Sequence, residues 1–329
     1  MGRHVAADFP ELDRLVDDAC AAIGRDIEAL NVPRLMGVVL GGGYGRGEGG
    51  AWAPSVDGRP SSAGCRLSND LDFFAIADET APEAETISAI GVALEPVAKK
   101  WTEKLRVDVD FSVKTRWRLK HDEERIMVQE LLRGYFDVAG EKGERLFAGI
   151  ELRSAESIPW MEAARLMMNR GMGLLLAKCK IESAESKSDG ELVEFFNRNI
   201  NKCILGAGDA RLVARREYAW RAVDRAKAIG DALYDTALEW KFRPGGEPAC
   251  DWEKARATWL AALEEISSGH GGGRTLRSAA RWFVRRRTVG ELRTLGLDPV
   301  VRILEAVARH VRERSRPEAS LMRDWEVFN

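Results

Sequence analysis

Apolar residues recur at helical spacing near the start of the chain: Leu12, Leu15, Val16, Cys20, Ile23, Ile27 and Leu30. The spacing predicts an amphipathic helix over 9–30, with Pro33 closing it. The pattern then changes. Leu35-Met36-Gly37-Val38-Val39-Leu40 is a short apolar run stopped by glycines, as a buried strand is. Residues 41–50 form a glycine-rich loop, and 51–68, rich in Pro, Gly and Ser, have no period and read as an exposed excursion. A strand is expected over 71–76 and an amphipathic helix over 82–104, kinked or broken at Pro96. Residues 107–113 alternate apolar and polar, as a half-buried strand does.

From about Lys120 the helical period takes over, with helices expected over 158–181, 191–205, 218–233, 252–266, 275–295 and 300–312. No repeat of fixed period is present. The fold class expected is α+β: strands and helices over 1–118, then an all-α bundle over 119–329.

Composition narrows the picture little. A length of 329 residues suits one large domain or two ordinary ones, and 45% hydrophobic with 31% charged residues is a globular balance. The net charge of -2 offers no global basic field, so nucleic acid is a possible partner but not the favoured one. No apolar stretch approaches the ~18 residues of a membrane helix. The first residues lack a signal-like apolar region, and Ala6 stands where a myristoylation motif wants Ser or Thr. A cytoplasmic protein without a membrane partner is expected. Five scattered cysteines and four distant histidines give no zinc spacing and no disulfide framework.

The chemistry gathers in the first third. Val39-Leu40-Gly41-Gly42-Gly43-Tyr44-Gly45-Arg46-Gly47-Glu48-Gly49 is a strand running into a glycine turn, where the lack of Cβ atoms lets backbone N–H groups approach a phosphate. Ser68-Asn69-Asp70-Leu71-Asp72-Phe73-Phe74 follows. Positions i and i+2 of a strand share a face, so Asp70 and Asp72 project together. Arg106-Val107-Asp108-Val109-Asp110-Phe111-Ser112-Val113 adds Asp108 and Asp110 from another strand. One of these beside Asp70 and Asp72 makes a three-carboxylate cluster, a donor set for Mg²⁺. Two such ions assist in-line displacement at the α-phosphate of a nucleoside triphosphate.

These residues resemble the DNA polymerase β-like nucleotidyltransferase superfamily over roughly residues 35–113. Gly42-Gly43-Tyr44-Gly45-Arg46-Gly47-Glu48 is similar to the Gly-Ser-x-Ala-Arg-Gly-Glu form of small bacterial members. Asn69-Asp70-Leu71-Asp72-Phe73 is similar to their Ser-Asp-Ile-Asp-Leu. The resemblance implies a short mixed sheet with helices on one side, Mg²⁺ or Mn²⁺, and a nucleoside triphosphate donor, ATP foremost. Gly42 and Gly43 would bind phosphate, with Tyr44 and Arg46 beside the nucleotide. Asp70 and Asp72 would bind metal, with Asp110 or Asp108 as the third acid; the Asp-Phe-Ser-Val context favours Asp110. Two departures are the insertion at 51–67 between the glycines and the acids, and Gly43 in place of the frequent Ser.

Other readings compete. Gly45-x-Gly47-x-x-Gly50 matches a dinucleotide fingerprint, but Ala51-Trp52-Ala53-Pro54 does not open a helix, and the P-loop Lys is absent. An Asp-x-Asp pair also occurs as a solvated strand end. Arg46 and Glu48 would alternatively pair with each other and brace the loop. Lys202, near Asn197, Asn201 and Asp209, could reach a γ-phosphate or belong to a solvated helix face. Arg274, Arg277, Arg281, Arg285, Arg286 and Arg287 could meet nucleic-acid phosphates or face solvent. Trp220, Trp240 and Trp259 sit among apolar neighbours as core residues do. The leading expectation is transfer of a nucleoside monophosphate to a small-molecule or protein hydroxyl. The alternatives are an enzyme that extends RNA ends or makes cyclic or oligomeric nucleotides, and a non-catalytic nucleotide-binding module.

Overall fold

A computed structural model of the chain describes residues 2–6, 9–56, 59–60, 64–78, 83–183 and 190–268. It divides into two compact units, Met1–Arg153 with Phe242–Gly245, and Ser154–Lys241 with Gly246–Asn329.

The first unit opens with α1 (Pro10–Leu30), β1 (Leu35–Leu40) and the single turn α2 (Gly42–Gly45). Helix α1 stops at Asn31, which takes the left-handed conformation at φ 46° and donates its N–H to the Glu28 carbonyl. Four two-residue strands follow: β2 (Ala51–Trp52), β3 (Ser55–Val56), β4 (Arg59–Pro60) and β5 (Arg66–Leu67). Antiparallel pairing of β2 with β5 and of β3 with β4 makes the inserted segment a hairpin. Then come β6 (Leu71–Ala77), α3 (Glu83–Leu105), β7 (Val109–Thr115), α4 (Arg116–His121), α5 (Ile126–Arg133), β8 (Phe136–Gly140) and α6 (Gly143–Leu146).

The main sheet is mixed, in the order β7-β6-β1-β8. Strands β6 and β7 are parallel, which requires a crossover, and α3 supplies it. Strand β1 pairs antiparallel with both β6 and β8. Alternation along the strands feeds two cores. Val38, Leu40, Leu71, Phe73 and Ala75 join α1 and α3 on one face. Val39, Phe74 and Ile76 join Leu119, Val128, Leu131 and Leu146 from α4, α5 and α6 on the other. The expectation of helices on one side is therefore corrected: both faces carry them.

Two further expectations change. Helix α3 passes unbroken through Pro96. Proline has no N–H for the carbonyl four residues back, which belongs to Val92, a residue 67% exposed. Strand β8 lies in a stretch expected to be helical. It is five residues long and contributes little alternation, so its pairing with β1 outweighs local propensity. The first unit accordingly runs past residue 118 to Arg153.

The second unit has a 3₁₀ turn (Ala155–Ser157) and the helices α7 (Trp160–Ser183), α8 (Gly190–Arg215), α9 (Ala222–Ile229), α10 (Ala232–Phe242) and α11 (Trp252–Ser268). Helices α7, α8 and α11 pack on one another. Indole N–H groups tie them: Trp259 donates to the Met167 carbonyl at 2.8 Å and Trp252 to that of Leu174 at 3.2 Å. Trp259 is core, as expected, while Trp220 and Trp240 are half-buried. The single helix expected over 218–233 is divided, because Gly230 at φ 61° caps α9. Asp209 accepts from Tyr234 Oη at 2.7 Å and pairs with Arg225 Nε at 2.9 Å. Arg225 also donates to the Ala219 and Trp220 carbonyls. No helix among the described residues is long and apolar enough to cross a membrane. The helices expected over 275–295 and 300–312, and the Arg274–Arg287 basic run, lie outside the described residues.

Candidate functional site

The end of β1 and the start of β6 meet at the glycine turn. Gly41 N–H donates to the Asp72 carbonyl at 2.8 Å, which extends the β1–β6 ladder into the turn. Gly42 follows at φ +59°, a conformation that a side chain disfavours. A Cβ there would also lie 2.1 Å from Asp72 Oδ2 and 3.0 Å from Asp72 Cβ. Glycine is thus what lets the turn rest against Asp72. Gly43 is less constrained: an added Cβ meets nothing nearer than 3.4 Å, so sterics do not exclude the Ser seen in the similar motif.

The acids come from the adjoining strands. Asp72 and Asp110 are register partners in the parallel β6–β7 pair, and both are exposed. Side chains of in-register residues share a face. Leu71 N–H donates to the Asp108 carbonyl at 2.8 Å, so the same register, carried back one residue, sets Asp70 opposite Asp108. The carboxyl of Asp110 is held above the ordinary aspartate range, first by partial burial, then by the neighbouring charges of Asp108 and Asp70. Such an all-oxygen, negatively charged donor set suits a hard divalent cation. As the side chains stand, no three His, Cys, Asp or Glu among the described residues converge into a metal-holding group.

Tyr44, expected beside the nucleotide, is instead buried, with 1% of its surface exposed. Hydrogen bonding turns the side chain inward. The phenol donates to the Gly50 carbonyl at 2.7 Å and accepts from Ser68 N–H at 3.2 Å and Asn69 N–H at 3.3 Å. Burial pushes its pKa up to about 12, so the proton it donates stays in place. Asn69 adds a bond of its own, accepting Gly50 N–H on Oδ1 at 2.7 Å. Tyr44 and Asn69 therefore clamp the two legs of the inserted hairpin where they leave the turn and approach Asp70.

Arg46 is drawn inward as well. Its guanidinium pairs with Glu130 at 3.1 Å and Glu48 at 3.6 Å, and its side chain is 15% exposed. That is the loop-bracing alternative, not a free anion-binding arm. Lys202 is half-buried on α8 of the second unit. Sequence reasoning gave Asn69 no role of its own, although it sits beside Asp70, and gave none to His4, whose distance along the chain leaves no spacing signal. No family model matches the chain, and no curated protein matches it.

Proposed function

We propose that the chain is a metal-dependent nucleotidyltransferase that moves a nucleoside monophosphate from a nucleoside triphosphate to a hydroxyl acceptor. The observation that carries this reading is the glycine turn resting on Asp72, with Asp110 in register beside it. The resemblance of both segments to nucleotidyltransferase motifs supports it.

Asp72 and Asp110 would hold a divalent cation with Asp70, and Asp110 is favoured over Asp108 because it is Asp72's register partner. Partial burial raises the Asp110 carboxyl first and the charges of Asp108 and Asp70 raise it further, and a bound cation would offset both. Bound there, Mg²⁺ or Mn²⁺ supplies charge neutralisation at the phosphates. The chain's own contribution is placement. Gly42 and Gly43 bring the backbone near the acids with no Cβ in the way, and Tyr44 and Asn69 keep the turn and Asp70 in register. In the reaction the acceptor oxygen bonds to the α-phosphorus, the bond from that phosphorus to the bridging oxygen breaks, pyrophosphate leaves, and the hydroxyl proton passes to solvent or to a carboxylate.

The test is Mg²⁺- or Mn²⁺-dependent consumption of each of the four ribonucleoside triphosphates, with product masses, for the parent and an Asp70→Asn/Asp72→Asn variant. Turnover lost in the variant supports transfer, and product mass separates a modified acceptor from a nucleotide oligomer. Neither turnover nor metal-dependent triphosphate binding in the parent defeats the reading.

A further inference from the structure

A four-residue helix makes one internal turn and cannot hold itself, because helix nucleation is unfavourable until several bonds form. In α2 that turn rests on the bond from Gly45 N–H to the Gly41 carbonyl at 2.8 Å. Something outside must fix it, and the N-terminal residues do so.

His4 is 1% exposed and belongs to neither the glycine motif nor the acid cluster. Its Nδ1 lies 3.1 Å from the Tyr44 carbonyl oxygen, and its Nε2 lies 3.0 Å from Asp17 Oδ1. The Tyr44 carbonyl only accepts, so this contact is a hydrogen bond in the ring forms that carry a proton on Nδ1; an ionised Asp17 carboxylate likewise asks for one on Nε2. The ring packs edge-on against Phe136 at 5.3 Å between centroids. The flanking backbone is fixed too. The Asp13 carboxylate accepts the N–H groups of Arg3, His4 and Val5 at 2.8, 2.7 and 3.1 Å. Gly49 N–H donates to the His4 carbonyl at 3.0 Å, and Ala6 N–H to that of Gly49 at 2.9 Å. Tyr44 is thus gripped at its carbonyl by His4 and at its phenol by Gly50, Ser68 and Asn69. Close polar contacts run from Asp17 through His4 and Tyr44 to Asn69, the residue that precedes Asp70.

We propose that His4 is a positioning residue of the site: its Nδ1–H fixes the Tyr44 carbonyl, and with it the turn that presents Gly42 to Asp72. The role in function rests on the reading that the turn and the acids form one site. The role in positioning does not.

The test exploits geometry. An Asn side-chain nitrogen stands as many bonds from Cβ as Nδ1 does, and a Gln nitrogen as many as Nε2. Amide hydrogen exchange over residues 41–50 is measured by mass spectrometry in the full chain, for the parent, His4→Asn and His4→Gln. His4→Gln is expected to speed exchange there about 10-fold, the effect of one lost buried hydrogen bond, while His4→Asn stays within about 2-fold of the parent. Equal exchange in the two variants, or parental exchange in His4→Gln, overturns the proposal. A merely space-filling role would not separate Asn from Gln in this order. Should the variants not fold, nitrogen-labelled histidine in the parent decides: a slowly exchanging proton on His4 Nδ1 supports the proposal, and an unprotonated Nδ1 overturns it. Mn²⁺ titration of the parent keeps the two readings apart, since absent binding counts against the nucleotidyltransferase reading while exchange alone judges His4.

Discussion

Asp110 in the first unit and Asp209 in the second stand in opposite surroundings. Asp110 faces other carboxylates, and its own carboxyl is raised by partial burial and by Asp108 and Asp70. Asp209 is met by the Arg225 guanidinium and the Tyr234 hydroxyl. The helical unit compensates the charge it buries. The sheet unit gathers like charges at one strand end and fastens the backbone around them with Tyr44, Asn69 and His4. A carboxylate raised by burial and by like-charged neighbours on a fixed frame is the arrangement expected of a binding site.

Breaking the compensated side should cost most. Arg225→Met leaves Asp209 partly buried without its cation and frees the Ala219 and Trp220 carbonyls, so a loss of about 3–5 kcal/mol is expected by urea unfolding. A loss under about 1 kcal/mol would mean that water already solvates the pair. Next comes Gly42→Ala. The left-handed backbone and the encroachment on Asp72 together should destabilise the first unit by about 2–4 kcal/mol and weaken Mn²⁺ binding with it. Parental stability would show that the turn does not rest on Asp72.

The sharpest form of the comparison uses one substitution in both places. Asp209→Asn should destabilise by about 1–2 kcal/mol, since it weakens charged hydrogen bonds. Asp110→Asn should do the reverse, raising stability by about 0.5 kcal/mol through relief of repulsion at an exposed strand face, while Mn²⁺ binding falls. Destabilisation of similar size at both positions would remove the distinction.

What the sequence disclosed follows the same division. The strand–glycine turn–Asp-x-Asp order was legible because each step has a local cause: an apolar run, Gly42 at a left-handed position, and alternation that turns Asp72 outward while Leu71 and Phe73 face the core. The role of Tyr44 was not legible, and of Arg46 only its pairing with Glu48 was. A motif gives their neighbours in sequence, whereas Tyr44 is claimed by Ser68 and Asn69 and Arg46 by Glu130, partners that only the fold brings near. Strand β8 escaped for a related reason, since its identity rests on pairing with β1. His4 lies 40 residues from Tyr44, and no periodicity reports such a contact.

Asp26 supplies the smallest effect and a setting between the two extremes. Its carboxylate on α1 accepts from Lys100 Nζ at 2.6 Å and Trp101 Nε1 at 2.8 Å, both on α3. These hydrogen bonds, that of Lys100 foremost, hold its pKa below the ordinary aspartate value. A depressed folded-state pKa gives stability that is fully present above the unfolded value of about 3.9 and is lost as pH falls through the folded value. Lys100 is 57% exposed, so solvent screening limits the contribution to about 0.5 kcal/mol. Asp26→Asn still offers an oxygen to the Trp101 indole, so the substitution tests the charge and little else. The gap in unfolding free energy between parent and variant should be widest near pH 7, narrow under added salt, and close as pH falls below about 3. A gap that persists unchanged at acid pH would assign it to packing between α1 and α3, and the pairing of Asp26 would then have no part in holding the helix pair on which the sheet's inner face rests.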